Sequence, residues 1–233
     1  MSLSLAIFVA GTMFQISVLW LLARNALWRI YPLFSIYAIL NSLESFTLLA
    51  AYLRFRTSYS TLYWHIDSVD VVLRFLVVWE VFHQMFPKGS GLNRSLSKIL
   101  AIVAFLLLIF ACGATFWAYQ SYMSMRSIGL ALESAFGFVQ AVMILGTLFM
   151  ARYYGVKYGR NVRGIALAFG GWLSVLTASS ATVELTTSFL PYWYYLRPFS
   201  FVAMVVAWIW ALWVYEPNPP TNGLALRQTS TVS

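Results

Sequence analysis

Residues Tyr63–Phe86 read YWHIDSVDVVLRFLVVWEVFHQMF, a stretch that is long and apolar enough to cross a bilayer and yet contains several charged side chains. On a helix, Asp67, Asp70 and Arg74 fall on one stripe because they are three and four residues apart. A charge in the middle of a membrane helix costs about 2.5–3.5 kcal/mol on insertion scales, so such side chains are paired, hydrated or functional. The stretch therefore predicts a membrane helix with one charged face.

The amino-acid composition is that of a membrane protein. Of the 233 residues, 61% are hydrophobic and 18% aromatic, whereas only 9% are charged, and a soluble domain of this length could not keep so much apolar surface from water. The formal net charge is +8, but the basic residues are spread thinly over short connections, as in proteins whose Lys and Arg set their orientation in a bilayer. We therefore expect a multi-pass protein of the plasma membrane, the bacterial inner membrane, surrounded by lipid and without a nucleic-acid partner.

Seven apolar runs are separated by short breaks rich in Arg, Gly, Pro and Ser, and each run is near the roughly 20 residues that a helix needs to cross a bilayer. The predicted fold is an all-α bundle of seven transmembrane helices that occupies residues 1–216. Residues 217–233 are polar and Pro-rich, which predicts a disordered cytoplasmic tail. The predicted spans are Leu3–Leu22, Pro32–Leu53, Leu62–Phe86, Leu96–Tyr119, Ile128–Met150, Gly164–Leu190 and Tyr194–Tyr215.

Lys and Arg are unequally divided between the two sides of this bundle. Ten lie in the first, third and fifth connections and the tail, and four lie at the opposite ends of the helices. The positive-inside rule then predicts an external N-terminus and a cytoplasmic C-terminus. Ala23-Arg24 also recurs as Ala151-Arg152, and Tyr63-Trp64 recurs as Tyr192-Trp193, at nearly the same offset. This favours a duplicated three-helix unit with the fourth helix as linker, the parallel 3+1+3 arrangement of some transporters.

Polar side chains at helical spacing also interrupt the second, fifth and sixth predicted spans, so that four helices have a polar face. With the predicted orientation, most of the acids lie in the outer half of the membrane and Glu44 lies near its middle. These acids and the charged stripe together predict a binding site for a ligand or an ion. The candidate residues are Glu44, Asp67, Asp70, Arg74, Glu133 and Glu184.

Five carboxylates in these spans accompany a single central cation, Arg74, which pairs with Asp70 along the helix. The surplus negative charge would be resolved by protonation, by hydration or by binding a cation. The alternative is that the paired charges only hold the helices together while some acids, foremost Asp67, Glu133 and Glu184, lie at the interface and reach water directly, with no functional cavity.

Glu80 and His83 lie three residues apart near the predicted cytoplasmic end of the third span. They could bind the first or the third connection as a structural clamp, or they could act as a cytoplasmic gate. We favour the clamp.

Several specific chemistries lack the residues they require. No lysine lies in the last span for a retinal Schiff base, and the two histidines, His65 and His83, are about 27 Å apart along one helix at 1.5 Å per residue, too far for a shared zinc or haem. The single cysteine, Cys112, cannot form an intrachain disulfide and is expected to be a core thiol. The identity of any metal or cofactor stays open, and an enzyme is the least favoured class because no nucleophile, base and orienting group align.

Two segments resemble an uncharacterised family of seven-helix membrane proteins found in acidobacteria: Trp79-Glu80-Val81-Phe82, and Gly164 to Gly170 after the basic fifth connection. The resemblance implies the seven-helix architecture and no particular activity.

The sequence favours a small transporter or solute-binding membrane protein with an outward-facing acidic cavity. Its ligand would be a cation, a proton-coupled solute or a polar small molecule. Two alternatives stay open: a sensor that signals to a cytoplasmic partner through the basic connections, and an accessory subunit whose polar faces contact other membrane subunits.

Overall fold

The computed structural model of the protein describes residues 3–54, 56–86, 91–121 and 125–216. These residues form seven α-helices and two short 3₁₀ turns, Leu27–Arg29 and Thr187–Phe189, and no strand occurs among them. The predicted tail, residues 217–233, lies outside the described residues. The helices are α1 (Leu3–Arg24), α2 (Pro32–Arg54), α3 (Arg56–Met85), α4 (Gly91–Ser121), α5 (Met125–Tyr153), α6 (Arg160–Leu185) and α7 (Leu190–Leu212).

The apolar composition and the length of several helices indicate a membrane protein. Within the described ranges, four helical stretches are long and apolar enough to cross a bilayer, and these are Pro32–Arg54, Glu133–Tyr153, Arg160–Val183 and Leu190–Leu212. Large apolar side chains such as Phe105, Leu106 and Phe149 are exposed on the outside of the bundle, which suits contact with lipid tails. That all seven helices cross the bilayer, with the N-terminus outside, stays a prediction.

Six of the helices pack in a closed ring in the order α1, α2, α3, α5, α6, α7, with α7 returning to α1. The described part of α4 packs against α5 outside this ring, and α3 also contacts α6 across it. Cys112 of α4 is exposed, so the expectation of a core thiol is wrong: the helix that carries it lies at the periphery. A peripheral α4 is compatible with a linker between two three-helix units, and the internal repeat itself stays a prediction.

Small residues allow close packing where α6 meets its neighbours. A Cβ added to Gly164 would collide with the Cβ of Ala211 in α7, and one added to Gly137 of α5 would lie 2.7 Å from Thr177 Oγ1 of α6. Small residues at helix contacts let backbones approach each other, which is the main source of packing energy between helices in lipid. Gly171 of α6, in contrast, has no neighbour within 4 Å of such a Cβ.

The sixth helix ends earlier than the apolar run in the sequence predicts. The run from Gly164 to Leu190 suggested one helix, but α6 ends at Leu185 and Thr186 adopts an extended conformation. The 3₁₀ turn Thr187–Phe189 follows, and α7 begins at Leu190 with Pro191 in its first turn. Proline suits that position because its missing N–H has no partner to lose there. The connection between the last two helices thus lies four to five residues earlier than predicted.

Candidate functional site

The charged stripe of α3 forms an ion-pair cluster inside the ring of helices. Arg74 Nε donates to Asp70 Oδ2 at 2.7 Å, and Arg74 Nη2 pairs with the same oxygen. Arg74 Nη2 also lies 3.5 Å from Asp67 Oδ1, about one turn before Asp70 in the same helix. All three residues are buried, with Arg74 only 2% exposed. The spacing that the sequence shows therefore brings these three side chains together.

Arg197 of α7 extends this cluster to a second helix pair. Its Nη1 donates to Glu133 Oε2 of α5 at 2.9 Å and its Nη2 lies 2.5 Å from Oε1. The guanidinium therefore contacts both oxygens of the carboxylate in a bidentate arrangement. The same Nη2 donates to Asp67 Oδ1 of α3 at 2.9 Å. Ser180 Oγ of α6 donates to Glu133 Oε2 at 3.2 Å. Four helices, α3, α5, α6 and α7, thus meet through one chain of charged contacts.

Asp67 and Glu133 do not reach water at the membrane interface, where the alternative without a cavity would place them. Glu133 is fully buried and Asp67 is 4% exposed. Each accepts hydrogen bonds from Arg197 instead, because that side chain extends inward from α7. A buried carboxylate is tolerated when it is paired and hydrogen-bonded, which Arg197 achieves for both acids.

Aromatic rings surround the two guanidinium groups. The guanidinium carbon of Arg74 lies 4.8 Å from the ring centre of Trp172, and that of Arg197 lies 5.3 Å from the ring centres of both Tyr63 and Trp193. Cations over aromatic faces within about 6 Å are attracted by the ring quadrupole, more strongly when water is excluded. The site is therefore built to hold positive charge against aromatic surfaces.

A cavity of about 370 Å³ lies beside this cluster. It occupies the end of the bundle where α1 and α7 begin and where α2 passes to α3. Glu44 of α2 lines it and is half-buried, and the charged residues Asp67, Asp70, Arg74 and Arg197 lie on the same wall. Polar and aromatic side chains supply much of the remaining lining, and these include Thr12, Tyr37, Asn41, Ser45, Tyr59, Trp193 and Tyr194.

Several polar atoms of the residues that line the cavity have no hydrogen-bond partner. They are the second carboxylate oxygen of Asp70 and the indole nitrogens of Trp172 and Trp193, and all are buried. Buried polar groups in proteins are nearly always hydrogen-bonded, to protein, water or ligand. Their concentration at one cavity marks a place where water or a solute completes the hydrogen bonding.

Charges at the site are unbalanced. Four carboxylates, those of Glu44, Asp67, Asp70 and Glu133, accompany two guanidinium groups, and no ion pair or hydrogen bond to Glu44 occurs in the part of the chain that the structure describes. No grouping of three His, Cys, Asp or Glu suited to a metal ion occurs among the described residues either. The arrangement can bind and orient a polar solute, and its acidic surplus favours a positively charged one.

Glu80 lies away from this cavity and caps a helix. Its two carboxylate oxygens accept hydrogen bonds from the backbone N–H groups of Leu33 and Phe34, at 3.0 and 2.7 Å, in the first turn of α2. A carboxylate at this position satisfies two otherwise unpaired donors and faces the positive end of the helix dipole. Nearby, Gln84 Nε2 of α3 donates to the carbonyl of Ile30 at 2.6 Å. Glu80 therefore binds backbone amides of α2, directly after the first connection, and not the arginines of that connection.

His83 does not share this contact. Its Nδ1 lies 3.0 Å from the backbone carbonyl of Trp79, four residues earlier in the same helix, and its ring packs on that of Trp79 at 4.4 Å. The two residues that the sequence groups as a clamp or a gate thus have different partners. A gating role for either stays a prediction.

The structure groups most of the predicted site residues and adds one. Glu44, Asp67, Asp70, Arg74 and Glu133 surround the cavity or pair with its lining, whereas the side chain of Glu184 lies outside the described residues although its backbone is part of α6.

The added residue is Arg197, which the sequence places near the end of a span with no partner assigned. The available signal was an arginine inside an apolar helix, four residues after Trp193 and directly before Pro198. A charged side chain inside such a helix nearly always faces the bundle interior and a partner of opposite charge. No protein family, curated protein or solved structure matches the chain.

Proposed function

We propose that this membrane protein binds a small solute in the cavity between α1, α2, α3 and α7 and carries it across the bilayer. The observation that carries the proposal is the combination of a cavity of about 370 Å³ with an unpaired carboxylate, Glu44, and several buried polar atoms without partners in its wall. Ligand sites are commonly concave and largely apolar, with a few convergent polar groups that fix orientation.

A purely structural role would explain the contacts of Arg197, but it would not explain the cavity beside them. A protein that needs only to hold its helices together gains from filling a cavity, because buried polar atoms without partners are destabilising. The aromatic rings and charges instead leave room for a guest the size of a small metabolite. Charged residues inside membrane spans commonly mark the pathway of a solute or an ion.

Direction follows from the predicted orientation. If the N-terminus is outside, the cavity opens toward the exterior, because it lies where α1 and α7 begin. The cytoplasmic half of the ring is filled by apolar side chains, among them Phe34, Phe82 and Trp208. Such an arrangement fits the outward-facing state of a transporter, in which the far side is closed.

A melting screen tests the binding part of the proposal. Purified protein in detergent is heated with a panel of small amines, amino acids, sugars and inorganic salts, and a ligand raises the melting temperature because it binds the folded state only. A compound that stabilises the wild type should fail to stabilise Ser45→Phe, which fills the cavity. It should still stabilise Leu43→Phe, a matched control whose side chain is on the outward face of the same helix.

Counterflow in proteoliposomes then tests transport. A binding compound should exchange across vesicles that contain wild-type protein and should not do so with Ser45→Phe. Binding without exchange would favour the sensor instead, and a screen in which no compound stabilises the wild type would contradict the proposal and favour the accessory subunit.

A further inference from the structure

We infer that the solute is a small organic cation, and that its ammonium group lies at Glu44 against the aromatic wall of the cavity. This inference rests on the proposed function, because it names the ligand class of the same cavity. Four features of the described residues support it: the charge imbalance at Glu44, the unpartnered oxygen of Asp70, the chemistry of the wall, and the lack of a metal-binding group among those residues.

Glu44 is the carboxylate that the described structure leaves without a counter-ion. Asp67, Asp70 and Glu133 each pair with Arg74 or Arg197, so both guanidinium groups already bind carboxylates other than that of Glu44. Glu44 lies within electrostatic reach of Asp67 and Asp70 and faces the cavity. A monovalent cation beside Glu44 would balance part of this negative charge, whereas an anion would add to it.

The second acceptor at this place is Asp70 itself. One of its oxygens bonds Arg74, but the other, Oδ1, has no partner although the residue is only 6% exposed. An ammonium group carries several donors or, when methylated, a diffuse positive charge, and it can approach two carboxylates at once. Asp70 Oδ1 thus gives an observation independent of Glu44 that a positively charged donor belongs in the cavity.

The wall also fits an organic cation. Tyr59, Tyr63, Trp193 and Tyr194 line the cavity, and the rings of Tyr63 and Trp193 already hold the guanidinium of Arg197 at 5.3 Å. Aromatic surfaces bind ammonium groups by cation–π attraction and their carbon substituents by apolar contact. The wall therefore suits a cation that carries carbon atoms better than one that carries a tight shell of water.

An inorganic cation fits less well. Hard metal ions require about six to eight oxygen ligands at short range, supplied mainly by carboxylates and carbonyls. The described residues contain no group of three acidic, histidine or cysteine side chains that could hold a metal, and the cavity of about 370 Å³ is far larger than such a site. An organic cation fills the space and uses the aromatic rings.

Choline and its neutral analogue 3,3-dimethyl-1-butanol separate charge from shape. The two have the same outline, but only choline is charged. Melting temperature and tryptophan fluorescence of the purified protein are measured with choline, propylammonium, the neutral analogue, glycine betaine, and potassium chloride at equal ionic strength. We expect choline or propylammonium to stabilise the protein and to change its fluorescence, because Trp193 and Trp172 line the cavity. The neutral analogue and potassium chloride should have little effect.

Two variants locate the charge, and Glu216→Gln is the control because it removes an exposed acid outside the cavity. Glu44→Gln should weaken the apparent affinity for the organic cation by about tenfold or more, since it removes the counter-ion while conserving shape. Glu44→Asp keeps the charge and should retain most of the response. It also covers the case in which Glu44→Gln fails to fold.

Several results would overturn the inference while leaving the proposed function in place. The first is an equal response to choline and to its neutral analogue, and the second is a response to glycine betaine without one to choline or propylammonium. The third is a response to an organic cation that Glu44→Gln retains in full. The fourth is a response to an organic cation that Glu44→Asp loses. A response to an amino acid or sugar that Ser45→Phe abolishes, with no response to either organic cation, would likewise refute the cation and support solute binding. If no compound of either screen binds, both proposals fail.

Discussion

Arg197 of α7 pairs with both carboxylate oxygens of Glu133 in α5, and it also pairs with Asp67 of α3, which is a partner of Arg74 as well. This single side chain joins three helices of the ring at the wall of the cavity. Glu133 is fully buried, so no water can replace Arg197 beside its carboxylate, which depends on that guanidinium for its charge balance. The pair therefore positions α7 relative to α3 and α5, and with it the aromatic residues that α7 presents to the cavity.

Removing Arg197 should be strongly destabilising. Arg197→Met leaves Glu133 buried without its cation, and we expect a loss of about 3–5 kcal/mol in the free energy of unfolding, measured in mixed detergent micelles. The double variant Arg197→Met with Glu133→Gln should recover much of that loss, because no carboxylate then remains unpaired at that position. A single variant that costs less than about 1 kcal/mol, the usual worth of an exposed ion pair, would show that the pair is open to water.

Glu80 and His83 should behave differently although they lie three residues apart. Glu80→Ala leaves the backbone N–H groups of Leu33 and Phe34 without acceptors, so the protein should lose about 1–3 kcal/mol of stability. His83→Ala is the matched control and should cost less, because the imidazole contacts residues of its own helix within the described part of the structure. Both losses are read from melting in detergent. A loss of solute binding in Glu80→Ala at unchanged stability would refute the capping role and make Glu80 part of a gate.

Glycine packing between α6 and α7 gives a third stability test. Gly164→Ala places a methyl group against the Cβ of Ala211, so the helices must separate, and we expect a loss of about 1–3 kcal/mol. Gly171→Ala, in the same helix with open space around it, should be neutral or slightly stabilising because alanine is the better helix former. Equal melting temperatures for the two variants would contradict the close contact between α6 and α7.

Much of the fold could be predicted because the controlling pattern is simple. Apolar runs of membrane length, separated by short breaks, predict the helices that the structure contains, and the residue numbers agree within a few positions for α1 and α2. The end of α6 was missed because Thr186 to Phe189 continue an apolar and small-residue pattern, while the break depends on local backbone conformation. Tertiary packing decides the peripheral place of α4, and no local pattern shows it.

The candidate site could be predicted only in part. The spacing of Asp67, Asp70 and Arg74 places them on one face of α3, so their contact follows from helical periodicity. The contact of Arg197 with Glu133 joins residues 64 positions apart, and it depends on α5 and α7 both facing the ring interior. A sequence alone does not show which helices are neighbours, so from the sequence the acids that Arg197 neutralises are surplus charge.

The orientation of the bundle is open to a direct test. Reporter fusions after Arg24, Lys88 and Arg160 should be active only as cytoplasmic reporters, because these positions lie at or beside the connections that carry most of the Lys and Arg. Fusions at Arg56, Arg126 and Ser188 should be active only as external reporters. Ser188 lies in the connection before α7, which begins at Leu190. The opposite pattern would place the cavity on the cytoplasmic side and reverse the proposed direction of binding.

The central claim is that the charged face of α3 borders a water-filled cavity open to the outside, and thiol labelling tests it most directly. In a Cys112→Ser background, Ser45→Cys introduces a thiol into the cavity lining, and Ser42→Cys introduces one on the same helix that is buried away from it. A charged, membrane-impermeant thiol reagent is added to right-side-out membrane vesicles. We predict that Ser45→Cys is labelled and Ser42→Cys is not, with both labelled after denaturation. If Ser45→Cys is protected in the native protein as fully as Ser42→Cys, the cavity is dry or closed and the account is contradicted.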